Sequence, residues 1–171
     1  MDRCEQLAGI INEFSRTHDR GILERMHSLG DVRECIVSGL YGSATLADWK
    51  RFDSYVIAAL RQPDQAMTSI LCDVLDRRDS HVPANVTDDI VDLLHDIGDP
   101  AAISSLERAM LNPPEWDEFY HFARKSMWAL LKIGTPEAIN AVHKATQSDI
   151  PDIREEAQRK LGTGKGEPHR E

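Results

Sequence analysis

The chain carries one phrase twice. Ile97-Gly98-Asp99-Pro100-Ala101-Ala102-Ile103 returns as Ile133-Gly134-Thr135-Pro136-Glu137-Ala138-Ile139, 36 residues later (133 − 97), with five of seven positions identical. Each copy reads as a helix stop, a tight turn and a helix start. Glycine enters left-handed backbone at little steric cost, so Gly98 and Gly134 suit the position just past a helix. Asp99 and Thr135 offer a side-chain oxygen to the unpaired amides of the next helix. Pro100 and Pro136 fit its first position, where no N–H is needed. A helix pair recurring at this period marks stacked helical repeats. The expected fold is therefore all-α, a right-handed α-solenoid of antiparallel helix pairs, with about ten helices.

Apolar spacing fills in the other helices. Leu7, Ile10, Ile11 and Phe14 make one stripe over residues 2–17. A short second helix carries Ile22, Leu23, Met26 and Leu29 and stops at Gly30. Asp31 is expected to cap a third, with Val32, Ile36, Val37 and Leu40 inward. Leu46, Trp49, Phe52, Val56, Ile57 and Leu60 form a fourth, ended by Pro63, and Pro63 or Asp64 opens a fifth with Met67, Ile70, Leu71, Val74 and Leu75. Asp79 to Ala84 reads as a loop, and Asn85 as the cap of a sixth helix with Val86, Ile90, Leu93, Leu94 and Ile97 inward. After a seventh helix with Ile103, Leu106 and Met110, Asn112-Pro113-Pro114 breaks the chain. The eighth, from about Glu115 to Ile133, is expected to be the longest and to bury Phe119 and Phe122; helices after Pro136 and from about Pro151 complete the set. Strand-like alternation never persists. Residues 1–161 thus form one repeat domain, clear over 86–161 and degenerate over 1–85, followed by a tail at 162–171 with nothing apolar to bury and an expectation of flexibility.

The two turns, followed by Asp152 to Gly162 (DIREEAQRKLG), resemble HEAT repeats of the phycobilin-lyase type over about Val86 to Gly162. Asp31 to Leu40 (DVRECIVSGL) is a looser echo of the same segment. The resemblance implies a concave surface lined by the second helix of each pair, and places there Ser104, Ser105, Glu107, Arg108, Asn140, Ala141, His143 and Lys144. It also implies an enzymatic alternative, attachment or removal of a bilin chromophore. HEAT-like DNA glycosylases use a cationic groove, which the charge of this chain opposes.

That charge is −9, from 29 acidic against 20 basic residues. It argues against general nucleic-acid binding, which needs a basic stripe along the phosphates, and favours a basic partner. Eight aspartates and two arginines lie between Asp73 and Asp99, a net of −6 (2 − 8). Cys4, Cys35 and Cys72 are odd in number, form no CxxC pair, and are expected to be reduced. No apolar run reaches the roughly 20 residues of a bilayer span. Met1-Asp2-Arg3-Cys4-Glu5 lacks the layout of a secretory signal, so cytoplasmic residence is expected.

Catalytic and cofactor chemistry is not legible. None of the seven histidines stands four residues from another, no serine lies in a Gly-x-Ser-x-Gly turn, and Gly162-x-Gly164-x-Gly166 has neither the strand nor the helix of a phosphate loop. Four carboxylates spread along a straight helix, Asp88, Asp92, Asp96 and Asp99, are too far apart to share one metal ion. They read instead as an acidic docking face. Trp116 and Tyr120, four apart beside a rigid turn, are candidate anchors, with Arg108, Asn140, His143 and Lys144 as groove positions. The expected function is a non-enzymatic, cofactor-free protein-binding module. In its specific form it is an immunity-like inhibitor masking a basic toxin or nuclease; the alternatives are the chromophore-handling role and a scaffold or oligomerisation module.

Overall fold

The structure is a computed structural model, described for residues 2–77 and 81–162. Every regular element among the described residues is helical. They are α1 (Arg3–Thr17), a 3₁₀ helix (Arg20–Leu29), α2 (Arg33–Thr45), α3 (Trp49–Ala59), α4 (Thr68–Asp76), α5 (Ala84–Ile97), α6 (Ile103–Leu111), α7 (His121–Ile133), α8 (Pro136–Ala145) and α9 (Pro151–Lys160). Short 3₁₀ turns, Gln65–Met67 and Pro100–Ala102, lead into α4 and α6. None of these helices is long and apolar enough to cross a membrane.

The repeated phrase does its local work twice. Gly98 (φ +66°) and Gly134 (φ +68°) are left-handed and close α5 and α7. Asp99 Oδ1 then accepts from the Ala101 amide at 3.0 Å, and Thr135 Oγ1 from the Ala138 amide at 3.3 Å. Pro100 and Pro136 occupy first positions. These corners turn the chain back on itself, so α1, α3, α5, α7 and α9 pack in succession as one layer. Helices α2, α4, α6 and α8 form a second layer laid against it.

Burial reveals how far the register extends. Tyr55, Val56, Ala58 and Ala59 of α3 are buried. Ile90, Val91, Leu93 and Leu94 of α5 repeat that pattern 35 residues later (90 − 55), and Ser126, Met127, Ala129 and Leu130 of α7 repeat it after a further 36 (126 − 90). Asp64, which accepts from the Ala66 amide at 2.8 Å, stands 35 residues before Asp99 and caps its own turn in the same way. At α2 and α3 the layers touch closely: a Cβ on Gly39 would lie 2.2 Å from Cζ of Tyr55.

Several local expectations need correction. Residues 20–29 form a 3₁₀ helix, whose three-residue turn aligns Leu23, Met26 and Leu29 on one edge. Asp31 does not cap α2 in the usual way; its carboxylate grips the Arg33 guanidinium and amide. Leu46 follows α2 and is 77% exposed. Pro83 takes the cap position of α5, so Asn85 lies inside the helix. The long helix from Glu115 does not form. Helix α7 starts at His121, because Asp117, only 6% exposed, accepts from the amides of Phe122 (3.2 Å) and Ala123 (3.1 Å) while Tyr120 turns left-handed (φ +56°). Phe119 is left in the turn, 68% exposed, whereas Phe122 is buried. Cys4 and Cys35 are joined in a disulfide between α1 and α2; Cys72 is free. The expected tail falls, from residue 163 onward, outside the described residues, as do Arg78, Asp79 and Ser80 of the expected loop.

Candidate functional site

The α3–α5–α7 layer gathers the carboxylates. A helix places residues four apart on one face, so Asp88 and Asp92 stand one above the other on α5, with Asp89 beside them. Ligand oxygens of the three lie within 4.8 Å of one another. Lys125 of α7 reaches across the seam and sets its Nζ between the outer two, 2.6 Å from Asp88 Oδ2 and 2.8 Å from Asp92 Oδ2. That ammonium has its pKa raised by both carboxylates even though partial burial works the other way.

Asp53 of α3 enters from the other side. Asn85 Nδ2 donates to its Oδ2 at 3.3 Å, while its Oδ1 is buried with no donor reaching it among the described residues. Burial, and then the carboxylate of Asp89, push Asp53 up to about 7. Asp89 is raised as well, chiefly by burial, with Asp88 and Asp92 adding to the effect and Lys125 opposing it. Two acids facing each other in half-buried surroundings are most stable when one keeps a proton and donates it to the other. Lys125 is the one cation that the ion pairs among the described residues give this group of four.

A triad of carboxylates at this spacing has the oxygen chemistry of a hard-cation site. The cation seated there is an ammonium of the protein itself. It is a positively charged group that donates hydrogen bonds to two of the aspartates.

The remaining candidates are scattered. Asp96 is exposed, with His95 Nδ1 3.2 Å from its Oδ1, and Asp99 serves as a helix cap. Trp116 is 45% exposed and tilts onto Phe122 with ring centres 5.2 Å apart; Tyr120 is half-buried, so the two do not form one exposed pair. Arg108, Asn140, His143 and Lys144 lie on the other layer. There Arg108 is held in a two-pronged pair by Asp76 of α4 (3.1 and 2.6 Å) and Lys144 by Glu107 of α6 (2.6 Å). Asp73 and Asp76, part of the acidic run in the sequence, are likewise paired, with Arg77 and Arg108. The unquenched acidity therefore narrows to α5 and Asp53.

Sequence reasoning passed over Asp53, Asp89, Lys125 and Trp128. Trp128 is 43% exposed; its Nε1 donates to Glu156 Oε1 at 3.3 Å and Lys160 Nζ lies 5.7 Å from its ring, joining α7 to α9. Its signal was the period: Trp128 stands 36 residues after Asp92 (128 − 92), and Lys125 stands 36 after Asp89 (125 − 89). Comparison of the chain with protein-family models and with curated sequences finds no match.

Proposed function

We propose that this chain is a non-enzymatic binding module whose α3–α5–α7 face docks a basic segment of another protein. The observation that carries this reading is the four-aspartate group, Asp53, Asp88, Asp89 and Asp92, with Lys125 as its one bridging cation among the described residues. An arriving lysine or arginine supplies further donors to this acidic group and relieves the repulsion that holds a proton on the pair. Trp128, on the next helix of the same layer, offers a flat apolar surface beside the charges.

The turn chemistry and the alternating layers support a HEAT-like solenoid, a form that presents a broad face and whose usual work is binding. The α3–α5–α7 series packs more extensively than α2–α4–α6 does, which supports placing it on the inner side of the curve. A basic toxin or nuclease, masked as an immunity protein masks its target, is the specific form of this reading.

The test is titration with a lysine- and arginine-rich peptide, followed by backbone amide NMR at neutral pH. The reading expects saturable shifts at Asp53, Asp88, Asp89, Asp92 and the Trp128 indole, with little change at Asn140 and His143. Shifts centred on α6 and α8, or none at all, count against it.

A further inference from the structure

A second site lies between α2 and α3, where glycines replace side chains. Gly39 leaves the notch that the Tyr55 ring fills. Gly42 is exposed, and a Cβ built on it would meet no atom within 4 Å, so the rim there is open. The result is a cavity of about 270 Å³, with Ser38 at its mouth, the Cys4–Cys35 disulfide along one edge, and Arg51 and Tyr55 on the α3 side.

Arg51 is the unexplained group. It sits in the first turn of α3, its Nε is buried, and no acceptor reaches that nitrogen among the described residues. Its guanidinium lies 5.9 Å from the Tyr55 ring centre and takes part in no ion pair among the described residues. Asp48, three residues earlier and on the same cavity, is already used: its Oδ1 caps α3 by accepting from the Arg51 amide at 3.1 Å. In a chain with 29 acidic and 20 basic residues, an arginine that lines a cavity and enters no ion pair among the described residues is a group open to an anion.

We propose that this α2–α3 cavity binds a small carboxylate, its oxygens gripped by the Arg51 guanidinium and its body against Tyr55. A guanidinium is a planar fork of donors that matches a carboxylate in two-pronged geometry. Ser38 adds a hydroxyl donor at the mouth. The volume lies just below the range of ordinary small-molecule pockets, roughly 300 Å³ upward, and so suits a short acid and not a nucleotide. Asp48 at the rim and the net charge of −9 oppose a dianion, which favours the singly charged carboxylate over phosphate.

The experiment uses the full oxidised chain and sodium propionate as probe, with sodium chloride and inorganic phosphate at matched ionic strength. The Arg51 Nε–H resonance is followed by NMR and thermal stability by calorimetry. Propionate should shift that resonance saturably and raise the melting temperature, with phosphate weaker and chloride inert. Gly42→Leu, which keeps Arg51 but hangs a side chain over the open rim, should abolish the shift. Arg51→Gln should abolish the thermal gain while remaining folded by circular dichroism. A shift that survives in Gly42→Leu, an equal response to chloride, a stronger response to phosphate, or no saturable response to propionate overturns the proposal.

Discussion

Asp53 and Asp89 meet as two acids across the α3–α5 seam, and the donor that reaches Asp53 there is the amide of Asn85. Burial and the facing charge push Asp53 from 3.8 to about 7, so the folded protein holds a proton that the unfolded chain has already released. A raised carboxyl favours folding fully below its unfolded value, and that contribution is lost as pH rises through the folded value. Stability should therefore fall as pH climbs from 3.8 to about 7 and level off above that. Asp53→Asn places an amide donor against Asp89 and removes the titration. Its melting temperature should exceed that of the wild type at about pH 8 and match it only below 3.8, where the carboxyl is protonated in both the folded and the unfolded chain. A variant less stable at the higher pH would show that the pair is not strained by charge.

Lys125 holds α7 to α5 through Asp88 and Asp92. Lys125→Met keeps most of the side-chain stem and removes the ammonium, leaving the carboxylates to repel one another. With the lysine side chain 24% exposed and the aspartates 37% and 44%, solvent screening limits the expected loss to about 1 kcal/mol by denaturant unfolding. Adding Asp92→Asn to that variant should restore part of the loss. If the double variant is weaker than the single one, the ammonium is not acting through these charges.

The Cys4–Cys35 bond ties residues 31 apart in sequence and limits the unfolded chain more than the folded one. For a loop of that length, chain entropy gives about 3–4 kcal/mol of stabilisation. Thiol titration in denaturant without reductant should find one reactive group, Cys72, and reduction should lower the melting temperature. Three titrating thiols before reduction would contradict the pairing.

What the sequence made legible was local chemistry. The turns at Gly98 and Gly134 were readable because the glycine, cap and proline act on one another within four residues. The turn at Asp64 was readable from Pro63, but with no glycine before its cap and no proline after it, it did not match the repeated phrase, and its shared register shows only in burial. The break before α7 was invisible to apolar spacing, which runs unbroken through Phe119 and Phe122. The deciding contact is Asp117 folding back onto two amides five and six residues ahead. Odd cysteine count gave no hint that two of the three pair. The acidic run drew attention to the helix that carries Asp88, Asp89 and Asp92 but also credited Asp73 and Asp76, which arginines neutralise. Asp53 could not be joined to Asp89 before α3 was known to lie beside α5, because nothing in its own surroundings sets it apart from a solvated aspartate.

The most direct test of the docking account is the affinity of a lysine- and arginine-rich peptide for the wild type and for Asp88→Asn/Asp89→Asn/Asp92→Asn, measured by calorimetry over a range of salt. The triple variant should bind at least about tenfold more weakly, a difference of about 1.4 kcal/mol, and with a shallower salt dependence. Equal affinity and an equal salt slope would show that these carboxylates do not form the docking face.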